Sequence, residues 1–209
     1  MIRPLLLDLF SGAGGAARGY HDAGFDVVGV DINPQPRYPY EFHQGDAMTL
    51  GAELLASGRF AAVHASPTCQ RKARVTAWRG SRESHPNTLT PTLALLRAQD
   101  LPCVVENVPE AADELRPDFL LCGTQFGLPI RRHRIFEAVG WIPAHLMPAC
   151  QCYRNQRLLP FEHKAERAFA DAMGCDWMTN REARQAIPPA MTRFIGGHLM
   201  AAVREDVAA

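Results

Sequence analysis

The stretch LLLDLFSGAGG at residues 5–15 begins as a short apolar run and then breaks into Gly12, Gly14 and Gly15. A strand buried on both faces reads as a nearly continuous apolar run. The helical stretch at 16–23, which Gly24 can cap, follows the turn at once, so the order is strand, turn, helix. Glycines at such a junction let the backbone approach a ligand, and the helix start offers unpaired N–H groups. The next strand, 25–32, carries Asp31 near its end, placed to accept hydrogen bonds from ribose hydroxyls. A glycine-rich turn serves NAD, FAD and phosphate sites alike, so these residues alone imply a nucleotide-like ligand.

Working outward, the apolar runs 60–65 and 103–108 each follow a helical candidate, 49–56 and 91–99. That alternation predicts an α/β fold: a doubly wound, mostly parallel sheet with helices on both faces. At 119–139 two strand-like runs, FLLCG and RRHRIFEAV, leave no room for a long helix between them, which predicts an antiparallel edge. Residues 140–161 are rich in Pro, Cys, Gln and Arg without a period. A helix is expected at 162–173 before Gly174, another after the Thr179/Glu182 capping box, and a last one from Pro188–Pro189 to about residue 204. The expected organisation is a core at 1–139, an insert at 140–178, and C-terminal helices at 179–209 that complete the core.

With 209 residues, 47% of them hydrophobic, the chain can bury one substantial core. No run of about 18 apolar residues suggests a membrane span, and the start lacks a signal-peptide pattern, so a cytoplasmic protein is expected. Basic and acidic residues balance at 22 each, which excludes a globally basic nucleic-acid binder and confines any polyanion contact to local patches. The six cysteines are scattered, and no disulfide framework is expected.

DLFSGAGG closely resembles the first motif of the cytosine-C5 DNA methyltransferases, and VGVDI, GDA, SPTCQ, ENV and RRHRIF follow in that family's order. IPPAMTRFIG at 187–196 resembles its last motif. The resemblance implies a Rossmann-like methyltransferase fold, S-adenosylmethionine as cofactor, and a bacterial or phage-encoded enzyme. It implies that Phe10, Ser11, Gly12, Gly14 and Gly15 surround the methionine and adenosine parts. Asp31 would hold the ribose, Ile32 pack on adenine and Asp46 meet its amino group, with Ala47 and Pro67 lining the same site.

Cytosine C5 is a poor nucleophile, so methylation there needs a thiolate to add at C6 and a proton donor at N3. Cys69 follows the run ending at Ala65, and Glu106 ends the next run, so adjacent parallel strands would aim both at one site. By resemblance Cys69 is the nucleophile and Glu106 protonates N3. Arg132 and Arg134 match two arginines, one of which contacts the pyrimidine O2 and steadies the active-site loop. Asn107 shapes the strand end and is grouped with Gln70, Arg71, Lys72 and Arg74 as substrate or DNA contacts. Arg79, Arg82 and Trp78 extend that loop with charge and stacking suited to a flipped base. The chain departs from the family at Thr68, which replaces a proline, at Ile130, which replaces a glutamine, and at Gln185, which replaces an asparagine.

The family's target-recognition region would lie between 137 and 186, an interval too short for an extended reader of DNA sequence. Three functions stay open: methylation of DNA with short or partner-supplied specificity, the same chemistry on a free cytosine nucleotide such as dCMP, and a cofactor-binding DNA module without catalysis. No metal is expected. His145, Cys150, Cys152, His163 and Cys175 could supply zinc ligands but read as scattered surface residues, because Cys-x-Cys is not the common Cys-x2-Cys pair. Cys103 and Cys122 are assigned to the core.

Overall fold

The computed structural model describes residues 2–68, 87–143, 147, 149, 150, 152 and 168–208. Seven strands form one sheet: β1 Leu5–Leu9, β2 Asp26–Asp31, β3 Glu41–Gln44, β4 Ala62–Ala65, β5 Cys103–Asn107, β6 Phe119–Cys122 and β7 His133–Val139. Their spatial order is β3-β2-β1-β4-β5-β7-β6. All neighbours are parallel except the pairs made by β7, which runs antiparallel to both β5 and β6. The antiparallel strand therefore lies one place inside the edge, and β6 is the edge strand. The described helices are α1 Gly15–Asp22, α2 Thr49–Ala56, α3 Leu89–Arg97, α4 Ala168–Met173, α5 Asn180–Gln185 and α6 Pro189–Ala208.

Because side chains alternate along a strand, LLLDL feeds two cores. Leu6 joins Val27, Ala62, Val104 and Phe136 beneath α1 and α6. Leu7 and Leu9 join Val28, Val63 and Val105 beneath α2 and α3. The helix starting at Thr179 is fastened as its sequence predicts: Glu182 N–H donates to Thr179 Oγ1 at 3.3 Å while Glu182 Oε2 accepts from Thr179 N–H at 2.7 Å. The strand β3 carries no such signal. Its sequence EFHQ has neither an apolar run nor strict alternation, and pairing with β2 makes it a strand.

Within the interval 140–178, α4 and the residues after it belong to the main body. Phe169, Met173, Cys175 and Met178 pack with Ala13 of the glycine turn and with Ile130. Trp177 Nε1 donates to Ala13 O at 2.9 Å. Ile130 is 1% exposed and fills this cluster as an apolar plug.

The helices α1 and α6 cross at close range over Gly19, and a Cβ there would overlap Thr192 Oγ1 and Pro189 O. Thr192 Oγ1 donates to Ala16 O at 3.0 Å across the same contact. Alanine favours a helix interior over glycine by about 1 kcal/mol, whereas overpacking costs about 1–3 kcal/mol. Gly19→Ala is thus expected to destabilise the protein despite its better helix propensity, seen as a lower denaturation midpoint. An unchanged or raised midpoint would show that the helices can separate at no cost.

Candidate active site

At the carboxyl end of β1 the chain makes a turn that only unusual backbone angles allow. Phe10 has φ 58°, the only non-glycine with positive φ among the described residues, followed by Gly12 at 49° and Gly14 at 85°. A bulky residue in the left-handed region marks a backbone held in place by its surroundings. Asp31, at the end of β2, supplies part of that hold. Its Oδ2 accepts from Gly12 N–H at 3.0 Å and its Oδ1 from Asn33 N–H at 2.9 Å. A Cβ on Gly12 would meet nothing within 4 Å, so the turn faces open space. Beside it Ile32 is 64% exposed, a large apolar side chain offered to solvent at the rim of the turn. Asp46 Oδ1 accepts from Met48 and Thr49 N–H at 2.8 and 3.0 Å and so caps the start of α2. Ala47 and Pro67 are buried and Ser11 is 8% exposed. These residues fit a nucleoside cofactor: a carboxylate, an exposed apolar surface and a glycine turn converge where open α/β sheets bind ligands.

A second group lies at the carboxyl ends of β4 and β5. On the face shared by Leu6, Ala62, Val104 and Phe136, each strand replaces its next same-face side chain with a polar one: Asp8, His64, Glu106 and Arg134. Glu106 is buried, and Arg134 Nε stands 2.7 Å from its Oε1 as an ion pair without hydrogen-bond alignment. Burial pushes the Glu106 carboxyl above its usual range, against the opposing pull of Arg134, Arg132 and a hydrogen bond from Ser66. Arg132 faces elsewhere: its Nη2 donates to Ala186 O at 2.6 Å, tying β7 to the segment before α6. Asn107 is 1% exposed and holds backbone on both sides. Its Nδ2 donates to Pro67 O at 3.1 Å and its Oδ1 accepts from Val108 N–H at 2.9 Å. The end of β5 thereby grips the loop after β4. Cys69, Gln70, Arg71, Lys72 and Arg74, together with Trp78, Arg79 and Arg82, lie outside the described residues. Thr68 is the last described residue before them, and its hydroxyl is hydrogen-bonded to that of Thr88 at 2.7 Å.

Sequence reading missed what stands behind Glu106. Tyr20 Oη lies 3.0 Å from His64 Nδ1, and His64 Nε2 lies 2.8 Å from Ser66 Oγ. Ser66 in turn hydrogen-bonds Glu106. His64 has no exposure, and burial lowers its pKa to about 3, so it is a neutral imidazole with one donor and one acceptor nitrogen. Tyr20 donating to Nδ1, and Nε2–H donating to Ser66, satisfy both. The signal in the sequence was a polar residue inside the apolar run of β4, which alternation places on the Glu106 face. Asp8, fully buried, accepts from Tyr38 Oη at 3.4 Å, and burial raises its pKa well above the usual carboxylate range. Tyr20→Phe leaves His64 Nδ1 without its donor and is expected to cost about 1–3 kcal/mol, measurable by urea unfolding. No loss of stability would mean the hydroxyl is not engaged.

No protein-family model matches the chain, and no curated protein matches it in sequence. Its fold is shared with known structures. The Dnmt2 methyltransferase of S. pombe superposes with a TM-score of 0.60 at 14% identity, over 96% of this chain and 99% of that one. A substituted Spodoptera frugiperda DNMT2 gives 0.48 at 22% identity, with 64% and 48% covered. A putative DNA modification methyltransferase encoded within an E. coli prophage gives 0.49 at 23%, with 64% and 45% covered. The chain thus spans about half the length of the last two. The seven-stranded sheet has the Rossmann-like fold of the S. pombe methyltransferase.

Proposed function

We propose that this protein transfers a methyl group from S-adenosylmethionine to C5 of cytosine in DNA. The observation that carries the reading is Glu106, a buried carboxyl biased toward its protonated form. It sits at the end of β5 beside the loop that enters Cys69. Bound at the glycine turn, the cofactor supplies an electrophilic methyl group on a sulfonium. Phe10, Ser11, Gly12, Gly14, Gly15, Ile32, Asp46, Ala47 and Pro67 border that cofactor, with Asp31 toward the ribose. Cys69 adds to C6 of the ring, and Glu106 places its proton on N3 so that the ring can accept the thiolate's electrons. Arg134 balances the carboxylate left behind, and the enamine that results is nucleophilic at C5. Once C5 carries the methyl group, loss of its proton to solvent, elimination of the Cys69 thiolate from C6 and return of the N3 proton to Glu106 regenerate the enzyme. An environment that favours this adduct over free cytosine is what accelerates the reaction. Arg132, through Ala186, fixes the last motif against β7. Gln70, Arg71, Lys72 and Arg74 contact the nucleic acid, and the short insert leaves sequence specificity short or dependent on a partner protein.

The test supplies labelled cofactor with duplex DNA, single-stranded DNA or dCMP. Label in either polymer, located at cytosine C5 by nucleoside mass spectrometry, is the expected result. Label in dCMP alone would move the same chemistry to a free nucleotide, and label in none would overturn the enzymatic reading.

A further inference from the structure

The β6–β7 hairpin meets part of the insert. Cys122 ends β6, and its antiparallel register partner on β7 is His133. Against them the chain returns with Cys150 and Cys152. The three sulfurs and a ring nitrogen of His133 all lie within 4.8 Å of one another. His133 Nε2 is 3.4 Å from Cys150 Sγ and 3.6 Å from Cys152 Sγ. Four ligands set tetrahedrally around zinc, at the usual Zn–S and Zn–N lengths, stand about 3.6–3.8 Å apart. The two spacings from His133 to sulfur are close to those values, and the whole group, within 4.8 Å, needs only a small contraction to close on an ion.

Hydrogen-bond donors surround two of the sulfurs, those of Cys122 and Cys150. Cys152 N–H points at Cys150 Sγ at 3.4 Å, and Thr124 Oγ1 lies 3.4 Å from Cys122 Sγ and 3.5 Å from Cys150 Sγ. Arg131 Nη2 holds Cys152 O at 3.1 Å, fixing the returning strand of chain from outside the cluster. Cys122 and Cys152 are buried while His133 and Cys150 are half-buried, so one side shields the cluster and the other admits an ion. All three cysteines are free thiols.

The geometry points to a structural Cys3His zinc site made by Cys122, His133, Cys150 and Cys152, which staples the insert to the β6–β7 hairpin. Soft sulfur with one imidazole selects zinc over calcium or magnesium. Four protein ligands leave no open position, so the ion is structural, and the hairpin it fastens is the one that bears Arg132 and Arg134. The sequence alone leads to no metal and to scattered surface residues, whereas Cys152 and Cys175 are buried. The partners of Cys150 and Cys152 are Cys122 and His133 from the sheet. Cys175 is buried with Met173 and Met178, and His145 and His163 lie outside the described residues.

Untagged protein, purified under reducing conditions and dialysed against a weak chelator, is expected to retain about one zinc per chain by elemental analysis. Replacing zinc with cobalt(II) in the wild-type protein should give intense thiolate-to-metal absorption in the near ultraviolet and the visible bands of a tetrahedral ion. Cys150→Ser and Cys122→Ser should each lose the metal, while Cys175→Ser keeps it. Fully reduced protein that binds neither metal would overturn the site. So would retention of zinc by Cys122→Ser and Cys150→Ser, or a native disulfide within the trio. The cobalt spectrum needs no variant, so a misfolded mutant cannot obscure the answer.

Discussion

Glu106→Gln is expected to lower the rate of methyl transfer by about 10²–10⁴-fold, the usual worth of a positioned general acid, while leaving cofactor affinity unchanged. Glutamine fills the same volume and can still hydrogen-bond, but it has no acidic proton for N3. The cofactor group stands apart on β1 and β2, so binding of S-adenosylmethionine measured by calorimetry should not move. Undiminished turnover would remove Glu106 from the mechanism.

The same substitution carries a pH signature. In the folded protein the Glu106 carboxyl is shifted upward, chiefly by burial. The folded state therefore holds this proton more tightly than the unfolded chain does. That contribution is fully present below the unfolded pKa and is lost as pH rises through the folded one. Glu106→Gln, which has no such loss, should gain stability relative to wild type as pH rises across that window. A difference in melting temperature that grows from acid to neutral pH is the expected observation; a difference independent of pH would show that Arg134 offsets the burial completely.

The second large effect concerns the nucleophile. Cys69→Ser is expected to reduce methyl transfer by more than about 10⁴-fold, since catalytic nucleophiles that act as part of a unit carry penalties of that order. A serine hydroxyl is scarcely ionised at neutral pH, whereas a cysteine thiol lies within reach of it. Cofactor binding should again survive. If Cys69→Ser and Glu106→Gln each abolish transfer, the double variant should be no worse than either alone, because both serve one addition step. Independent, multiplying losses would separate the two residues into different steps.

The short sequence runs that became β1, β2, β4 and β5 were legible because each is buried on both faces. Their apolar continuity is a local property. The capping box at Thr179 was legible for the same reason: donor and acceptor lie three residues apart. The glycine turn could be read as a turn, but not the positive φ of Phe10, which no residue preference predicts and which the packing around it imposes. β3 was invisible because a polar edge strand owes its conformation to its neighbour. The packing of Phe169 and Met173 with Ala13 and Ile130 has no local signal because the contact spans distant parts of the chain.

By itself, then, the sequence determined a glycine turn followed by an acid, and two apolar runs, one followed by Cys69 and the other closing on Glu106. These depend on periodicity and spacing, which a linear chain displays. Only the tertiary structure decided that Glu106 is desolvated and backed by Ser66, His64 and Tyr20, that Asn107 grips Pro67, and that Cys122 and His133 meet Cys150 and Cys152. Burial and long-range proximity arise when strands distant in sequence take neighbouring places in the sheet, and no local pattern encodes which faces will then coincide.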